Sequence, residues 1–324
     1  MLSLALRHRP PLSLLRPFSA AAPKPSAAEI KELRVLSGSA PLIACRNALA
    51  DTYDPATSSF SVTAALDHLR LKEGGKIKAK TADREMAEGL VCLTASRRGG
   101  MTAASVSCET DFAAKGSVFV SLLRDVTSAA ATDASLSSST AESLLSDSPA
   151  LQARWDEASL SVRENMSVRS LSNLSSPNFF STYVHGKVAD EAGDGRDLSA
   201  GKLGSFVELA GELDDAEMDA VGRSLAMHVV AAKPLYLDFD SIPGDVLEKE
   251  KAFVLAKMEE EEKESGKAKP DNIREKIAGG KLRKWAEGIV LLDQSHMADP
   301  DGAQVKKVLK AAGVECKGFG LVQV

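Results

Sequence analysis

Apolar positions in this chain follow two rhythms, a helical one and an alternating or continuous one typical of strands, and the switches between them mark its segments. Ile30 and Leu33 open a short helical pattern that breaks at Ser37-Gly38. Leu42, Ile43, Ala48 and Leu49 suit a second helix. Val62, Ala65, Leu66 and Leu69 fall at i, i+3, i+4 and i+7, one face of a third. Gly74-Gly75 is expected to stop that helix, with the basic run 76–80 following as a solvated linker. Leu90-Val91-Cys92-Leu93 and Ala104-Ser105-Val106-Ser107-Cys108 then flank a turn at Arg97-Arg98-Gly99-Gly100, which predicts a β-hairpin. Behind it Val118, Phe119, Leu122, Leu123 and Val126 share one side of a helix. The Ser/Ala-rich stretch 127–149 reads equally as a loose helix or an irregular surface segment.

The order strand, turn, strand, helix then recurs. Thr182-Tyr183-Val184-His185 and Ser205-Phe206-Val207-Glu208-Leu209 read as strands around the Gly-rich stretch 193–204, and Met218, Val221, Leu225 and Val229 mark the helix. No residue-level repeat accompanies this recurrence, so it is one of architecture alone. Between 244 and 289, narrow apolar stripes (Val246, Phe253, Val254; Ile273, Ile277, Leu282, Trp285) lie either side of a turn at Ser265-Gly266 and Pro270. This predicts a projecting helical hairpin, with the acidic run 259–262 as its solvated flank. Residues 318–324 are expected to return as a short strand. The pattern as a whole predicts an α+β fold: a three-helix domain over 29–82, then two α+β subdomains with antiparallel sheets over 83–176 and 177–324.

Composition narrows the possible roles. With 40 basic and 45 acidic residues the formal net charge is -5, so the chain as a whole lacks the basic footprint of a nucleic-acid binder. Aromatic residues make up only 5%, which argues against base stacking. Cys45, Cys92, Cys108 and Cys316 include no CxxC pair, and are expected to be reduced, mostly buried thiols. From Met1 to Ala28 there is no acid, while Arg7, Arg9 and Arg16 are spaced among Leu and Ser. That is the composition of an organellar transit peptide, expected to span 1–22. Pro10, Pro11 and the arginines break up any secretory h-region. The leucines and arginine spacing favour a mitochondrial (matrix) over a plastid destination, and no stretch has the apolar length of a membrane span.

A search for chemistry finds little. His8, His68, His185, His228 and His296 are isolated in sequence, and for a lone histidine such as His228 a packed or interfacial role is commoner than a ligand role. There is no GxxxxGK[ST], no GxGxxG opening a helix after a strand and no GxSxG, so neither a metal, a cofactor nor a small-molecule substrate is expected. Glu109 and Asp111 beside Cys108 would raise the thiol's pKa, a poor way to activate a nucleophile. The segment Cys108-Glu109-Thr110-Asp111-Phe112 does stand out. It leaves a strand and presents an acid and a large aromatic together where the chain turns. Two readings stay open on physics alone: Thr110 or Asp111 caps the helix while Phe112 plugs the core, or the loop is displayed for binding.

That segment, as Ser107-Cys108-Glu109-Thr110-Asp111-Phe112-Ala113-Ala114-Lys115, resembles the N-C-[EQ]-T-D-F-V-A-[KR] signature of the elongation factor Ts family. Further resemblances follow in order along the chain: Glu32-Leu33-Arg34, Leu42-Ile43-Ala44-Cys45, Ala87-Glu88-Gly89, Tyr183-Val184-His185-Gly186, Ala226-Met227-His228-Val229 with Lys233-Pro234, Glu248-Lys249-Glu250 and Gly280-Lys281-Leu282-Arg283-Lys284. Departures include Ala113 for the usual valine, Leu42 and Ile43 where methionines are frequent, and a longer insertion at 193–204. The resemblance implies a UBA-like N-terminal domain and a guanine-nucleotide exchange factor, of the mitochondrial type given the leader, that promotes GDP release from elongation factor Tu without covalent chemistry of its own. It implies that Phe112 wedges between helices near the partner's Mg²⁺ and phosphate site while Asp111, with Thr110, rearranges polar contacts there. Arg34, Leu42 and Ile43 would hold the same domain of the partner, and His228 would help grip a distant one. The competing expectation is a UBA-like interaction scaffold with no exchange activity.

Overall fold

The computed structural model describes residues 23–38, 40–81, 84–132, 145, 147–188, 198–265 and 270–324. The expected leader 1–22, most of the Ser/Ala-rich stretch, the core of the Gly-rich insertion and the turn of the helical hairpin lie outside them. The chain forms two compact units that divide between Glu73 and Gly74.

The first unit holds α1 (Ala27–Leu36), α2 (Leu42–Asp51) and most of α3 (Val62–Thr81). Ser26 and Glu29 form a reciprocal capping box at the start of α1, which satisfies two backbone donors that a helix end leaves free. Leu33, Cys45, Ala48, Leu49, Ala65 and Leu69 make the core, flanked by Ile30, Phe60 and Leu66. A short ribbon that the sequence pattern missed, β1 (Tyr53–Asp54) with β2 (Ser59–Phe60), joins α2 to α3, and its Tyr53 and Phe60 rings lie 5.1 Å apart. The expected stop at Gly74-Gly75 does not occur: α3 continues to Thr81. A glycine inside a helix costs only about 1 kcal/mol relative to alanine, and the surrounding Lys, Glu and Ala are good helix formers.

The second unit is built as helices, sheet, sheet, helices. One sheet has the order β5-β4-β3-β7, from β3 (Glu88–Ser96), β4 (Gly100–Cys108), β5 (Ser167–Leu174) and β7 (Ser199–Gly201). The other is β6-β8-β9, from β6 (Phe179–His185), β8 (Leu203–Gly211) and β9 (Val314–Gln323). All pairings in both sheets are antiparallel. The predicted hairpin is the nine-residue pairing of β3 with β4, from Glu88↔Cys108 to Ser96↔Gly100. Leu90, Cys92, Ala104 and Val106 face helices α5 (Ser117–Thr132) and α6 (Pro149–Val162). Val91, Leu93, Met101 and Ala103 face the second sheet, meeting Phe180, Val184 and Val322. Burial on both faces explains why Leu90–Leu93 reads as a continuous apolar run where a half-exposed strand would alternate. The split expected at 176 is not a clean one, because β7 follows β6 in sequence yet joins the first sheet at β3.

The outer face of the second sheet packs on α7 (Asp215–Ala232) and α10 (Val305–Ala311) through Val207, Leu209, Met218, Leu225, Val229, Val305 and Leu309. Asp214 caps α7 by accepting from the Ala216 and Glu217 amides at 2.9 Å each, and Lys233, left-handed at φ 47°, ends it. The helical hairpin is present as α8 (Gly244–Ser265) and α9 (Asp271–Ala286), joined by Val254, Met258 and Ala278. Its acidic run is more than the solvated flank expected from sequence. Arg274 reaches Glu259 at 3.0 Å and Glu262 at 3.7 Å, and Lys281 reaches Glu261 at 3.5 Å, because the antiparallel return of α9 brings its cations alongside. Among the described residues no helix is long and apolar enough to cross a membrane. All four cysteines are buried and none is in a disulfide.

Gly222 brings α7 against β6. A β-carbon there would lie 2.4 Å from Ser181 Cβ and 3.1 Å from Leu209 Cδ1, in contact with the sheet itself. Gly222→Ala is therefore expected to destabilise the chain by about 1–3 kcal/mol, the usual cost of overpacking, despite alanine's better helix propensity. Urea denaturation of the two proteins checks this.

Candidate functional site

Strand β4 ends at Cys108, and the chain then turns into α4 (Asp111–Ala114), a single helical turn. Thr110 is its cap: backbone extended at φ -128°, hydroxyl accepting from the Ala113 amide at 3.3 Å. Ala114 is fully buried and Ala113 packs on the same core. Successive helical residues are turned by about 100°, so with both alanines directed inward Phe112 is directed out. Its side chain is 84% exposed, the most exposed of the large apolar residues described. Of the two readings left open by the sequence, the cap is present at Thr110, but Phe112 does not plug the core.

Several charged groups surround this turn. Lys115 Nζ lies 3.0 Å from Asp111 Oδ2, and its hydrogen bond, more than its charge, holds the Asp111 carboxyl below the ordinary range. Glu164, just past α6, accepts from the amides of Glu109 (3.1 Å) and Thr110 (3.0 Å) and from the Thr110 hydroxyl (2.6 Å). Glu109 in return accepts from the Asn165 amide at 2.8 Å and from Arg84 at 3.0 Å. Burial pushes the Glu109 carboxyl up, but these hydrogen bonds and the Arg84 charge outweigh it and leave it lowered. The Cys108 thiol donates to the Thr110 carbonyl at 3.2 Å and is pushed up to about 11, first by burial and then by the Glu164 charge. The carboxylate that suppresses this thiol is thus Glu164, across the fold, where the sequence pointed to Glu109 and Asp111.

Thr110, Asp111 and Phe112 therefore sit on one exposed turn. Arg34, Leu42 and Ile43 belong to the first unit, all exposed, with Leu42 at 57% and Ile43 at 66% on the first turn of α2. The end of α1 adds Val35 and Leu36, also exposed, which the sequence reading missed because they fall off its helical face. His228 has a different setting: it lies inside α7's packing with 2% exposure and presents no surface to a partner in this structure. Gln294 Nε2 donates to the Gly288 carbonyl at 2.9 Å, so its Oε1 is free to accept from His228 Nε2 at 3.0 Å. His228 Nδ1 then accepts from the Met297 amide at 3.3 Å. This arrangement requires the neutral ring. His296 stacks on it at 5.4 Å. Glu164, Asn165 and Arg84 were not legible as site residues, since only the fold brings them to the loop.

Fold and loop together define an α+β protein that presents an acid and an aromatic ring on a capped turn. Comparison with known sequences gives this class its family. The family described as elongation factor TS matches residues 109–324. Among curated relatives, elongation factor Ts of Brucella anthropi is 36% identical over 304 residues, covering 92% of each chain. That of Agrobacterium fabrum is 34% identical over 304 residues, covering 92% of this chain and 91% of its own. That of Brucella ovis is 37% identical over 306 residues, with 92% of each covered. The chain belongs to the elongation factor Ts family.

Two outcomes follow from the geometry. Phe112→Ala is expected to change the unfolding free energy of the isolated chain by less than about 0.5 kcal/mol, as for an exposed residue, where a core phenylalanine would cost about 3–5 kcal/mol. Denaturant titration distinguishes the two. The second concerns the histidine pair. Burial lowers both pKa values, aided at His296 by the His228 charge and opposed at His228 by the Gln294 bond. A histidine lowered on folding binds its proton more readily when unfolded, so its share of stability is full above 6.5 and is lost as pH falls through 6.5 toward the folded-state value. NMR titration of the two imidazoles is expected to give midpoints below 6.5, with melting temperature declining over the same range; ordinary midpoints would contradict it.

Proposed function

We propose that this chain is a translation elongation factor that binds elongation factor Tu and accelerates release of its GDP, acting in the mitochondrial matrix. The observation that carries this reading is Phe112, held in water on a capped turn with Asp111 beside it. A phenylalanine left exposed forgoes about 1.5–3 kcal/mol of burial, which becomes available when a partner covers it. In this reading Phe112 enters the nucleotide domain of the GTPase and separates helices near its phosphate and Mg²⁺ site, while Thr110 and Asp111 disturb the polar contacts there. The ionised Asp111 suits an exchange of cation partners. A wedge that distorts its target needs binding energy from elsewhere. Arg34, Leu42 and Ile43, with the neighbouring Val35 and Leu36, offer an apolar and cationic surface for that purpose. His228 serves indirectly, by holding the 294–297 segment against α7.

The coupling is reciprocal: if the factor weakens GDP binding, GDP weakens factor binding by the same ratio, and GTP entering the emptied site ejects the factor. No covalent step, cofactor or metal of its own is required of the chain, and nucleic acid is not part of the contact. The matrix location rests on the acid-free, arginine-bearing leader. The relatives named above are bacterial.

Release of labelled GDP from elongation factor Tu tests the reading. The wild-type chain is expected to accelerate release, and Phe112→Ala to reduce that effect by about tenfold or more, equivalent to roughly 1.4 kcal/mol in the barrier. Equal release by both proteins would keep the function and move its mechanism to other contacts. Binding without accelerated release would leave only a scaffold with a UBA-like domain. A reporter fused to residues 1–28 should enter mitochondria; plastid or cytosolic signal would overturn the location.

A further inference from the structure

We propose that Glu164 is the positioning residue of the wedge: its carboxylate sets the direction in which α4 presents Asp111 and Phe112. The inference rests on the exchange reading for its purpose, though its geometry stands apart from it.

The pairing of β4 with β5 ends at Ser107↔Ser167, so the amides of Glu109 and Thr110 emerge beyond the ladder. Without a ladder partner these donors must be met by another group or by water. Glu164 meets both with Oε2, at 3.1 and 3.0 Å, and takes the Thr110 hydroxyl on Oε1 at 2.6 Å. One carboxylate thus fixes two consecutive peptide planes and one side-chain rotamer. The grip is mutual, since Glu109 Oε1 accepts from the Asn165 amide at 2.8 Å. The side chain of each segment holds the backbone of the other, and Arg84 at 3.0 Å from Glu109 Oε2 balances part of the paired negative charge.

The grip passes on through Thr110. Its hydroxyl hydrogen is committed to Glu164, which leaves a lone pair for the Ala113 amide, the cap of α4. Glu164, Thr110 and Ala113 therefore form one chain of bonds that ends in the turn carrying Phe112. No packing can replace it on the outer side, because the ring is 84% exposed. Glu164 itself is set at the required place from two directions. Arg163 ends α6 in the left-handed conformation at φ 59°, which turns the chain sharply, and β5 anchors the far side from Ser167. A non-glycine residue held there is strained, and persists where its surroundings require it.

The test uses the full chain with Glu164→Ala and the milder Glu164→Gln, each alone and combined with Phe112→Ala. Amide hydrogen exchange in the free chain is expected to speed up at Glu109 and Thr110 by tenfold or more in Glu164→Ala, with the amides of β3 and β4 unaffected. GDP release from elongation factor Tu at saturating factor should fall by a similar ratio, with Glu164→Gln between it and wild type. In the Phe112→Ala background, loss of Glu164 should cost little more, since both act through one element. A merely structural role would give losses that multiply. Multiplying losses, or unchanged loop exchange and release in Glu164→Ala, would overturn the positioning role alone. Failure of the wild-type chain to release GDP would instead overturn the exchange reading, and with it the purpose assigned here to Glu164.

Discussion

Strands β3 and β4 are covered on both sides, by helices on one face and by the second sheet on the other, and the rest of the larger unit is arranged around that fact. Side chains of a strand alternate between faces, so a slip of one residue would move every one of them into the opposite core. Leu90 and Cys92 would exchange places with Val91 and Leu93, and both packings would fail together. The hairpin therefore has a single register, and the position of Cys108 at its end is set with it. Everything downstream, from Glu109 to Phe112, is suspended from a point that cannot drift.

The functional turn itself has almost no packing. Ala113 and Ala114 give it a small apolar footing, and the remaining constraints are polar: a threonine cap, a lysine on Asp111, and two glutamates that exchange backbone bonds. Such groups direct a loop without covering it, so the aromatic ring can be rigidly aimed and still reach solvent. Burial, helped by the Glu164 charge, keeps the neighbouring Cys108 protonated and chemically quiet. In the first unit the small core of α1, α2 and α3 plays the corresponding part, burying Cys45, Ala48 and Leu49 while leaving Leu42 and Ile43 outside.

Much of this was readable from the chain. Continuous apolar runs flanking a glycine turn announced the β3–β4 hairpin, and sparse stripes either side of Pro270 announced the helical hairpin. Thr110, Asp111 and Phe112 stood out by composition and resemblance, though only the fold shows that Phe112 is outside. What escaped has physical reasons. Strand β7 is three residues long and lies next to β3 only after a long excursion, so no local pattern marks it. The glycine pair in α3 looked decisive, yet its modest cost was outweighed by its helix-forming neighbours. His228 carried no sign of whether its face was inner or outer, because its partners Gln294 and Met297 arrive from a distant loop. Glu164 was invisible for the same reason: two of its three bonds go to backbone amides, which every residue but proline has.

The placement of β7 also bears on the order in which the protein acquires its shape. β3 and β7 are roughly a hundred residues apart in sequence, and closing so long a loop delays the contact relative to the local β3–β4 hairpin. A chain emerging from the ribosome would thus form that hairpin and its helices while one margin of the sheet still lacked a neighbour. Unpaired margins of this kind invite pairing with other chains. Residues 199–201 close it, and β8 starts two positions later at Leu203, so the strand that seals the first sheet runs straight into the one that pairs with β6.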